Sequence, residues 1–216
     1  NLARPLINRL KINEESISGI IKSIAEIKNQ PDPIGKILEK WSQPNGLQFS
    51  KISVPLGVLG VIYESRPNVT VDASCLALKS NNALILRGGS DSFETSKELI
   101  KIITMSFKEA QLPNDIIQMI PTTDREAVDC LLAMDNYVNV IIPRGGKNLI
   151  KKINDKSRIP VIKHLEGLCH IYVDKEANLD IAKKIIFNSK LRRPEICGAA
   201  ETLLIDNALK DNALEL

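Results

Sequence analysis

The sequence predicts an α/β protein built on a doubly wound parallel sheet. From Gly57 onward, short runs rich in Ile, Val and Leu alternate with longer stretches of helical periodicity. Each run is too short for a typical globular helix and is typical of a strand buried on both faces. The strand–helix–strand unit repeats four times, and such units form right-handed parallel crossovers with helices packed on the sheet.

The predicted elements follow one another along the chain with short connections. The five predicted strands are Val58–Tyr63, Ala83–Arg87, Ile116–Ile120, Val138–Ile142 and Pro160–Lys163. The helices between them are predicted over Val71–Lys79, Phe93–Ala110, Arg125–Ala133 and Lys147–Asn154. Sheets of this kind bind ligands outside the carboxyl ends of their strands. Candidate binding residues are therefore expected in the loops that follow the strands.

The segments before and after the predicted sheet do not continue its alternation of short apolar runs and helices. Asn13 is predicted to cap a first helix that ends at Pro31, and Trp41–Ser53 is predicted to be a loop followed by a strand. Near Leu168 the pattern changes again. The predicted elements beyond it are a strand at His170–Val173, a helix at Leu179–Ser189 and a strand at Glu201–Asp206. We therefore expect a second domain to begin close to Leu168.

The composition argues against several classes of protein. The net charge is +3, hydrophobic residues make up 44% and charged residues 25% of the chain. A charge this small indicates no nucleic-acid partner, and no apolar run reaches the roughly 18 residues of a membrane span. Four cysteines are too few for a disulfide framework in a chain of this length. A cytoplasmic protein with reduced thiols is the expectation.

Two predicted strands end beside a pair of glycines that an arginine directly precedes. The turn after the second strand contains Arg87, Gly88, Gly89 and Ser90, and the turn at the end of the fourth contains Pro143, Arg144, Gly145 and Gly146. Glycine lets the backbone approach a ligand closely, and the helix that follows offers N–H groups to an anion. Two interpretations stay open from spacing alone: ordinary βα turns, or a site for the phosphates of a dinucleotide.

The four cysteines differ in their surroundings. Cys75 and Cys130 lie among apolar residues of predicted helices and are interpreted as small core residues. Cys169 is ambiguous. Cys197 follows three basic residues within seven positions and precedes small residues, which is how a nucleophilic cysteine with an accessible thiolate looks. A half-buried cysteine in a loop is the alternative.

The stretch from His164 to His170 contains two His, one Glu and one Cys, as a metal site does. A strand–loop–strand path scatters these side chains, and the chain has neither a C-x-x-C nor an H-E-x-x-H motif. We therefore predict no metal site.

Several long motifs, in order, resemble the gamma-glutamyl phosphate reductase family of the aldehyde dehydrogenase superfamily. The motifs are VPLGVLGVIYESRPNVTVDASCLALKSNNALILRGGS at 54–90, VNVIIPRGG at 138–146, IPVIKHLEGLCHIYVD at 159–174 and RPEICGAAETLLID at 193–206. The segment Asn8–Gly35 is similar to the N-terminal helical region of the family. The resemblance covers nearly the whole chain, which looks like a central fragment of a family member.

The resemblance implies a function and a division of the chain. It implies NADPH-dependent reduction of L-glutamyl 5-phosphate to L-glutamate 5-semialdehyde, with release of phosphate, in proline biosynthesis. It also implies a homo-oligomer for the full-length family member. The implied parts are an N-terminal helical region at 1–50, a dinucleotide-binding domain at 51–168 and the truncated beginning of a catalytic domain at 169–216. A non-catalytic dinucleotide-binding remnant and another member of the superfamily are the alternatives.

The resemblance also implies roles for individual residues. Cys197 matches the catalytic cysteine, which forms a thioester with the substrate. The backbone N–H of Cys197 and the side chain of Asn68 are the candidate donors to the developing oxyanion. Glu166 lies near the general base of hydrolytic relatives, although this reduction needs no water attack. Arg66 and Arg193 are the candidates for binding the acyl phosphate.

The implied cofactor is NADPH, bound by the two basic diglycine turns. Arg87 lies where many superfamily members have a lysine near the adenosine ribose, and a positive charge there suits the extra phosphate of NADPH.

Overall fold

The computed structural model describes Leu10 and residues 12–163, 167–194 and 196–215, with only the main chain of 212–215. The chain divides into two compact units, Asn1–His164 and Leu165–Leu216. Each unit has its own parallel sheet: four strands in the first and two in the second.

Helix α1, Glu14–Asn29, begins at the cap that the sequence predicts. The side chain of Asn13 accepts a hydrogen bond from the N–H of Ser16 at 2.8 Å, and Ser16 Oγ accepts one from the N–H of Asn13 at 3.2 Å. These reciprocal bonds satisfy two N–H groups that the first helical turn leaves without partners. The predicted cap is therefore confirmed.

An antiparallel hairpin follows α1. Its strands are β1, Ile37–Ser42, and β2, Gln48–Ile52, and the rings of Trp41 and Phe49 stack across them with centroids 5.3 Å apart. The prediction of loop and then strand over Trp41–Ser53 misses β1. Every residue of β1 is exposed, so this strand lacks the alternation of buried and exposed side chains that identifies a strand in sequence.

The main sheet contains four parallel strands in the order β5-β4-β3-β6. They are β3, Val58–Tyr63; β4, Ala83–Arg87; β5, Ile117–Met119; and β6, Val140–Arg144. The helices of this unit are α2, Pro67–Lys79; α3, Phe93–Glu109; α4, Glu126–Leu132; and α5, Lys147–Lys156, with a 3₁₀ turn at Asn114–Ile116. The bounds of β3 and β4 are those predicted.

Helices cover both faces of this sheet. Val61 lies in a buried cluster with side chains of α2 and α3, and its neighbour Ile62 lies in a second cluster with side chains of α4 and α5. Successive residues of a strand point to opposite faces, so one strand contributes to both clusters. The predicted doubly wound α/β fold is confirmed.

The predicted fifth strand, Pro160–Lys163, is wrong as a full strand. Its contact with β6 is one parallel bridge, in which the Ile141 N–H donates to the Pro160 carbonyl and the Ile162 N–H donates to the Ile141 carbonyl, both at 2.9 Å. The next residue of β6 that faces this edge is Pro143, and proline has no N–H with which to continue the pairing. The ladder therefore stops after one bridge.

Helix α2 begins at Pro67, four positions before the predicted Val71. Proline suits this position because its fixed φ is already helical and its missing N–H has no partner in a first turn. As a result, Asn68 lies on the first turn of α2 rather than in a loop.

The second unit is a single strand–helix–strand crossover. Strands β7, His170–Val173, and β8, Thr202–Ile205, pair in parallel, and α6, Leu179–Leu191, connects them. A 3₁₀ helix spans Asn207–Glu215. Across the described residues of both units, every helix is too short or too polar to cross a membrane.

Candidate functional site

The strand order places a topological switch point between β3 and β6. From β3 the chain crosses to β4 and then to β5, whereas β6 pairs with the opposite edge of β3. Connections therefore leave β3 and β6 in opposite directions, and sheets of this kind bind ligands at the carboxyl ends of the strands at such a point. The loop that begins at Glu64 and the diglycine turn Gly145–Gly146 flank this point.

Glu64 joins these two loops. Its Oε2 accepts a hydrogen bond from the N–H of Gly146 at 3.0 Å, and its own N–H donates to the Arg144 carbonyl at 3.0 Å. A Cβ atom added at Gly145 would lie 2.6 Å from Glu64 Oε2. A carboxylate here is stabilised by the positive end of the α5 dipole. No role for Glu64 was predicted from the sequence, although its position in the polar stretch directly after the first sheet strand was a signal.

The loop after β3 also contacts the loop after β4. Ser65, with a positive φ of 46°, donates a short hydrogen bond from Oγ to Asp91 Oδ2. A Cβ atom at Gly89 would lie 2.7 Å from Asp91 Oδ1, and one at Gly88 would lie 3.1 Å from the hydroxyl of Tyr63. Both glycines are buried, whereas the adjacent Ser90 is exposed. In the first predicted diglycine turn, neighbouring side chains therefore pack closely against the backbone of both glycines.

Three buried hydroxyl groups form a chain of hydrogen bonds at the carboxyl end of β3. Tyr63 and Thr70 share a hydrogen bond of 2.7 Å between their hydroxyls, and Thr70 Oγ1 donates to Ser96 Oγ at 3.2 Å. All three side chains are fully buried. The bonds tie the last residue of β3 to α2 and α3, the helices that follow the first two strands.

Arg87 lies at the end of β4, and its guanidinium group donates to main-chain carbonyls. Nη1 donates to Gly88 at 2.9 Å, and Nη2 donates to Thr123 and Asp124 at 3.0 and 3.2 Å. Nε is buried and has no hydrogen-bond partner in the described parts of the chain. Burial lowers the pKa of Arg87, and the nearby charge of Arg125 lowers it further. Arg87 thus holds the loops after β4 and β5 together.

The other predicted residues of the first unit lie at the same strand ends. Pro143 is buried, and Arg144, Gly145 and Gly146 are exposed beside the switch point. Arg66 is half-buried immediately before α2.

Asn68 is exposed on the first turn of α2. Its Nδ2 donates to Asp72 Oδ2 at 3.3 Å, one helical turn further on.

Cys197 lies in the second unit, in a turn between α6 and β8. The Ile196 N–H donates to the Arg193 carbonyl at 3.3 Å, and the Ala199 N–H donates to the Ile196 carbonyl at 3.0 Å. Cys197 and Arg193 are exposed, and Cys169 Sγ donates to the carbonyl oxygen of Cys197 at 3.3 Å. The turn presents the predicted nucleophile at the surface of its unit.

Glu166 and His164, which the sequence analysis considered, lie outside the described residues.

The remaining cysteines lie in the first unit. Cys75 is half-buried on α2, and burial followed by the charge of Asp72 raises the pKa of its thiol. Cys130 is exposed, so the prediction of a core position is wrong for this residue. The buried face of α4 is formed by Val128, Leu131 and Leu132, and Cys130 lies off that face.

Comparison with known families matches residues 10–216 to one family, described as the aldehyde dehydrogenase family. The chain belongs to this family. A gamma-glutamyl phosphate reductase from Bartonella bacilliformis is 53% identical over 207 residues, which cover 95% of the chain and 50% of that relative. The chain thus spans about half the length of the curated relatives it matches.

Solved structures agree with these sequence matches. The crystal structure of gamma-glutamyl phosphate reductase from Thermotoga maritima has a TM-score of 0.88 and 38% identity, covering 99% of this chain and 52% of that one. The corresponding Saccharomyces cerevisiae structure has a TM-score of 0.70 and 35% identity, covering 100% of this chain and 54% of that one. The resemblance predicted from the motifs is confirmed.

Proposed function

We propose that this chain carries the cofactor domain and the nucleophile of a gamma-glutamyl phosphate reductase. The reaction is the NADPH-dependent reduction of L-glutamyl 5-phosphate to L-glutamate 5-semialdehyde, with release of phosphate, in proline biosynthesis. The observation that carries the proposal is the 53% identity to a relative of that name over 95% of the chain. The exposed position of Cys197 within its motif supports it.

The switch point fits a nicotinamide dinucleotide. Gly89 and Gly145 lie in the loops at these strand ends, where a Cβ atom would meet Asp91 Oδ1 and Glu64 Oε2, and Arg144 is exposed at the end of β6. The residues proposed to hold the cofactor are Arg87, Gly88, Gly89, Ser90, Pro143, Arg144, Gly145 and Gly146. When bound, the cofactor supplies the hydride that reduces the acyl group.

Arg87 contributes to this site indirectly. Two of its nitrogens already bind carbonyls of Gly88, Thr123 and Asp124. We therefore assign it the role of holding the loops in place while its positive charge favours the additional phosphate of NADPH. Arg144, which is exposed at the end of β6, is better placed for direct contact with a phosphate.

The thiolate of Cys197 attacks the acyl carbon of the substrate. The bond from carbon to the phosphate oxygen breaks, inorganic phosphate leaves and a thioester remains. The backbone N–H of Cys197 is the proposed donor to the oxyanion that develops during the attack. Arg193, in the same unit as Cys197, is proposed to bind the phosphate of the substrate, and no step requires Glu166 to activate water.

An assay in the reverse direction tests this proposal. The purified chain is incubated with NADP⁺, inorganic phosphate and glutamate 5-semialdehyde, and the absorbance of NADPH is followed. We expect a rate that is abolished in Cys197→Ala and retained in Cys130→Ala, an exposed cysteine of the other unit that serves as the matched control. NADPH binding is measured separately by its fluorescence.

Binding of NADPH without turnover would instead favour the alternative, a nucleotide-binding fragment. The chain spans about half the length of its relatives, which is the observation that keeps this alternative open. Absence of NADPH binding would contradict the cofactor site.

A further inference from the structure

The two cysteines of the second unit lie against each other. Cys169 Sγ is 3.3 Å from the carbonyl oxygen of Cys197, across 28 positions of sequence. A Cβ atom at Gly167 would lie 3.3 Å both from Cys169 Sγ and from the same carbonyl oxygen. The segment before β7 and the cysteine turn are therefore in close contact, and glycine at position 167 permits this contact.

The main chain holds this arrangement in place. The N–H groups of Glu201 and Thr202 both donate to the carbonyl of Cys169, at 2.9 and 3.2 Å. The Ala200 N–H, three positions after Cys197, donates to the Ser189 carbonyl at 3.1 Å, which ties the same side of the turn to α6. Cys169 is therefore held next to Cys197 by hydrogen bonds that do not involve either sulfur atom.

This geometry is compatible with a bond between the two sulfur atoms. Disulfide-linked residues have Cα atoms about 4.4–6.8 Å apart. The carbonyl oxygen that Cys169 Sγ contacts belongs to Cys197 itself, so Cys169 Sγ already lies against the residue with which the bond would form. The side chain of Cys197 is exposed and that of Cys169 is half-buried, so a small oxidant reaches the pair from solvent.

We propose that Cys197 and Cys169 form a reversible disulfide when the protein meets hydrogen peroxide. The thiolate of Cys197 attacks the peroxide, the O–O bond breaks, and a sulfenic acid and hydroxide form. The thiolate of Cys169 then attacks the sulfenic sulfur and expels a second hydroxide. The two protons released when the thiols ionised convert both hydroxides to water. Overall, two thiols lose two protons and two electrons, and one peroxide is reduced to two waters.

Disulfide formation depends only on the contact between the two cysteines, whereas its effect on catalysis rests on the proposed function. A disulfide removes the nucleophilic thiolate and protects its sulfur from irreversible oxidation to a sulfinic acid. Reduction by a dithiol restores both thiols. Disulfides of this transient type are the kind found in reducing compartments.

Peptide mapping after peroxide treatment tests the proposal. The chain is exposed to limiting hydrogen peroxide, free thiols are blocked with an alkylating reagent, and the protein is digested with trypsin. We expect one cross-linked species joining peptides 164–175 and 193–210, lighter than their sum by two hydrogen atoms and lost after reduction. Cys130→Ser is the matched control and is expected to leave its yield unchanged.

Cys169→Ser is the decisive variant because serine retains a donor to the Cys197 carbonyl but has no sulfur. In this variant we expect no reducible cross-link, and faster accumulation of Cys197 carrying two additional oxygen atoms. Circular dichroism of the variant confirms that it is folded. The proposal is overturned if peroxide converts Cys197 to the sulfinic acid at equal rates in both proteins, or if Cys197 pairs with another cysteine instead. Neither result depends on enzymatic activity.

Discussion

The carboxylate of Glu64 accepts a hydrogen bond from the backbone N–H of Gly146, 82 positions away in sequence. The bond crosses the switch point of the sheet, from the end of β3 to the beginning of α5. A helix N-terminus at a switch point is where the phosphates of a dinucleotide bind. Glu64 therefore presents a negative charge to the same N–H group that a phosphate would use.

Replacing Glu64 with Gln is expected to strengthen binding of NADP⁺. The substitution removes the charge that repels the phosphates and leaves a side chain of equal length. We expect a dissociation constant about five times lower, which corresponds to about 1 kcal/mol. Isothermal titration at low salt measures it, with Glu109→Gln at the far end of α3 as the control for net charge. Weaker binding would contradict this competition and indicate that the carboxylate contacts the ligand.

Replacing Gly145 with Ala is expected to displace Glu64. The new Cβ would lie 2.6 Å from Glu64 Oε2 and from Leu149 Cδ2, so the carboxylate must leave the N–H of Gly146. We expect a loss of about 1 kcal/mol in the free energy of unfolding in urea. Glu64→Ala in the Gly145→Ala background should then cost almost nothing further. Additive effects of the two substitutions would show that they do not act on the same hydrogen bond.

Replacing Arg87 with Met is expected to destabilise the first unit. Methionine keeps much of the apolar stem but removes the donors to the carbonyls of Gly88, Thr123 and Asp124. We expect the free energy of unfolding to fall by about 2 kcal/mol. Arg125→Met, at a neighbouring exposed arginine, should change it by less than about 0.5 kcal/mol. Equal stability of the two variants would refute the structural role of Arg87.

The ion pairs of Asp129 predict a dependence of stability on pH. Its carboxylate lies 2.8 Å from Lys156 Nζ and 3.1 Å from Lys152 Nζ, and hydrogen bonds to these two lysines lower its pKa. Because the pKa is lower in the folded state, the stabilisation is present above the unfolded pKa. It is lost as the pH falls through the folded pKa.

Asp129→Asn tests this dependence. Urea midpoints are measured from neutral pH down through the acidic range at low and high salt. We expect the variant to lose part of the decrease in stability with acidification, and salt to reduce the difference because the pair is exposed. Asp135→Asn, an exposed aspartate just beyond α4, is the control. Parallel curves for the Asp129 variant and the unsubstituted chain would contradict the role of these ion pairs.

The accuracy of the sequence-based predictions varied with burial. The bounds of β3 and β4 were predicted correctly because both strands are buried, apolar and followed by polar residues or glycine. Strand β1 was missed because all of its residues are exposed. The run at Pro160–Lys163 had the composition of a strand, but its pairing depended on Pro143, an acceptor-only residue in a distant strand.

The sequence by itself determined the doubly wound α/β class, the family and the candidate nucleophile Cys197, because periodicity and motifs are local properties of the chain. Only the tertiary structure decided the strand order, and with it the position of the switch point. It also decided that Glu64 meets Gly146 and that Cys169 meets Cys197. The physical reason is that these contacts join segments whose separation in space is set by strand pairing and helix packing, which local patterns do not encode.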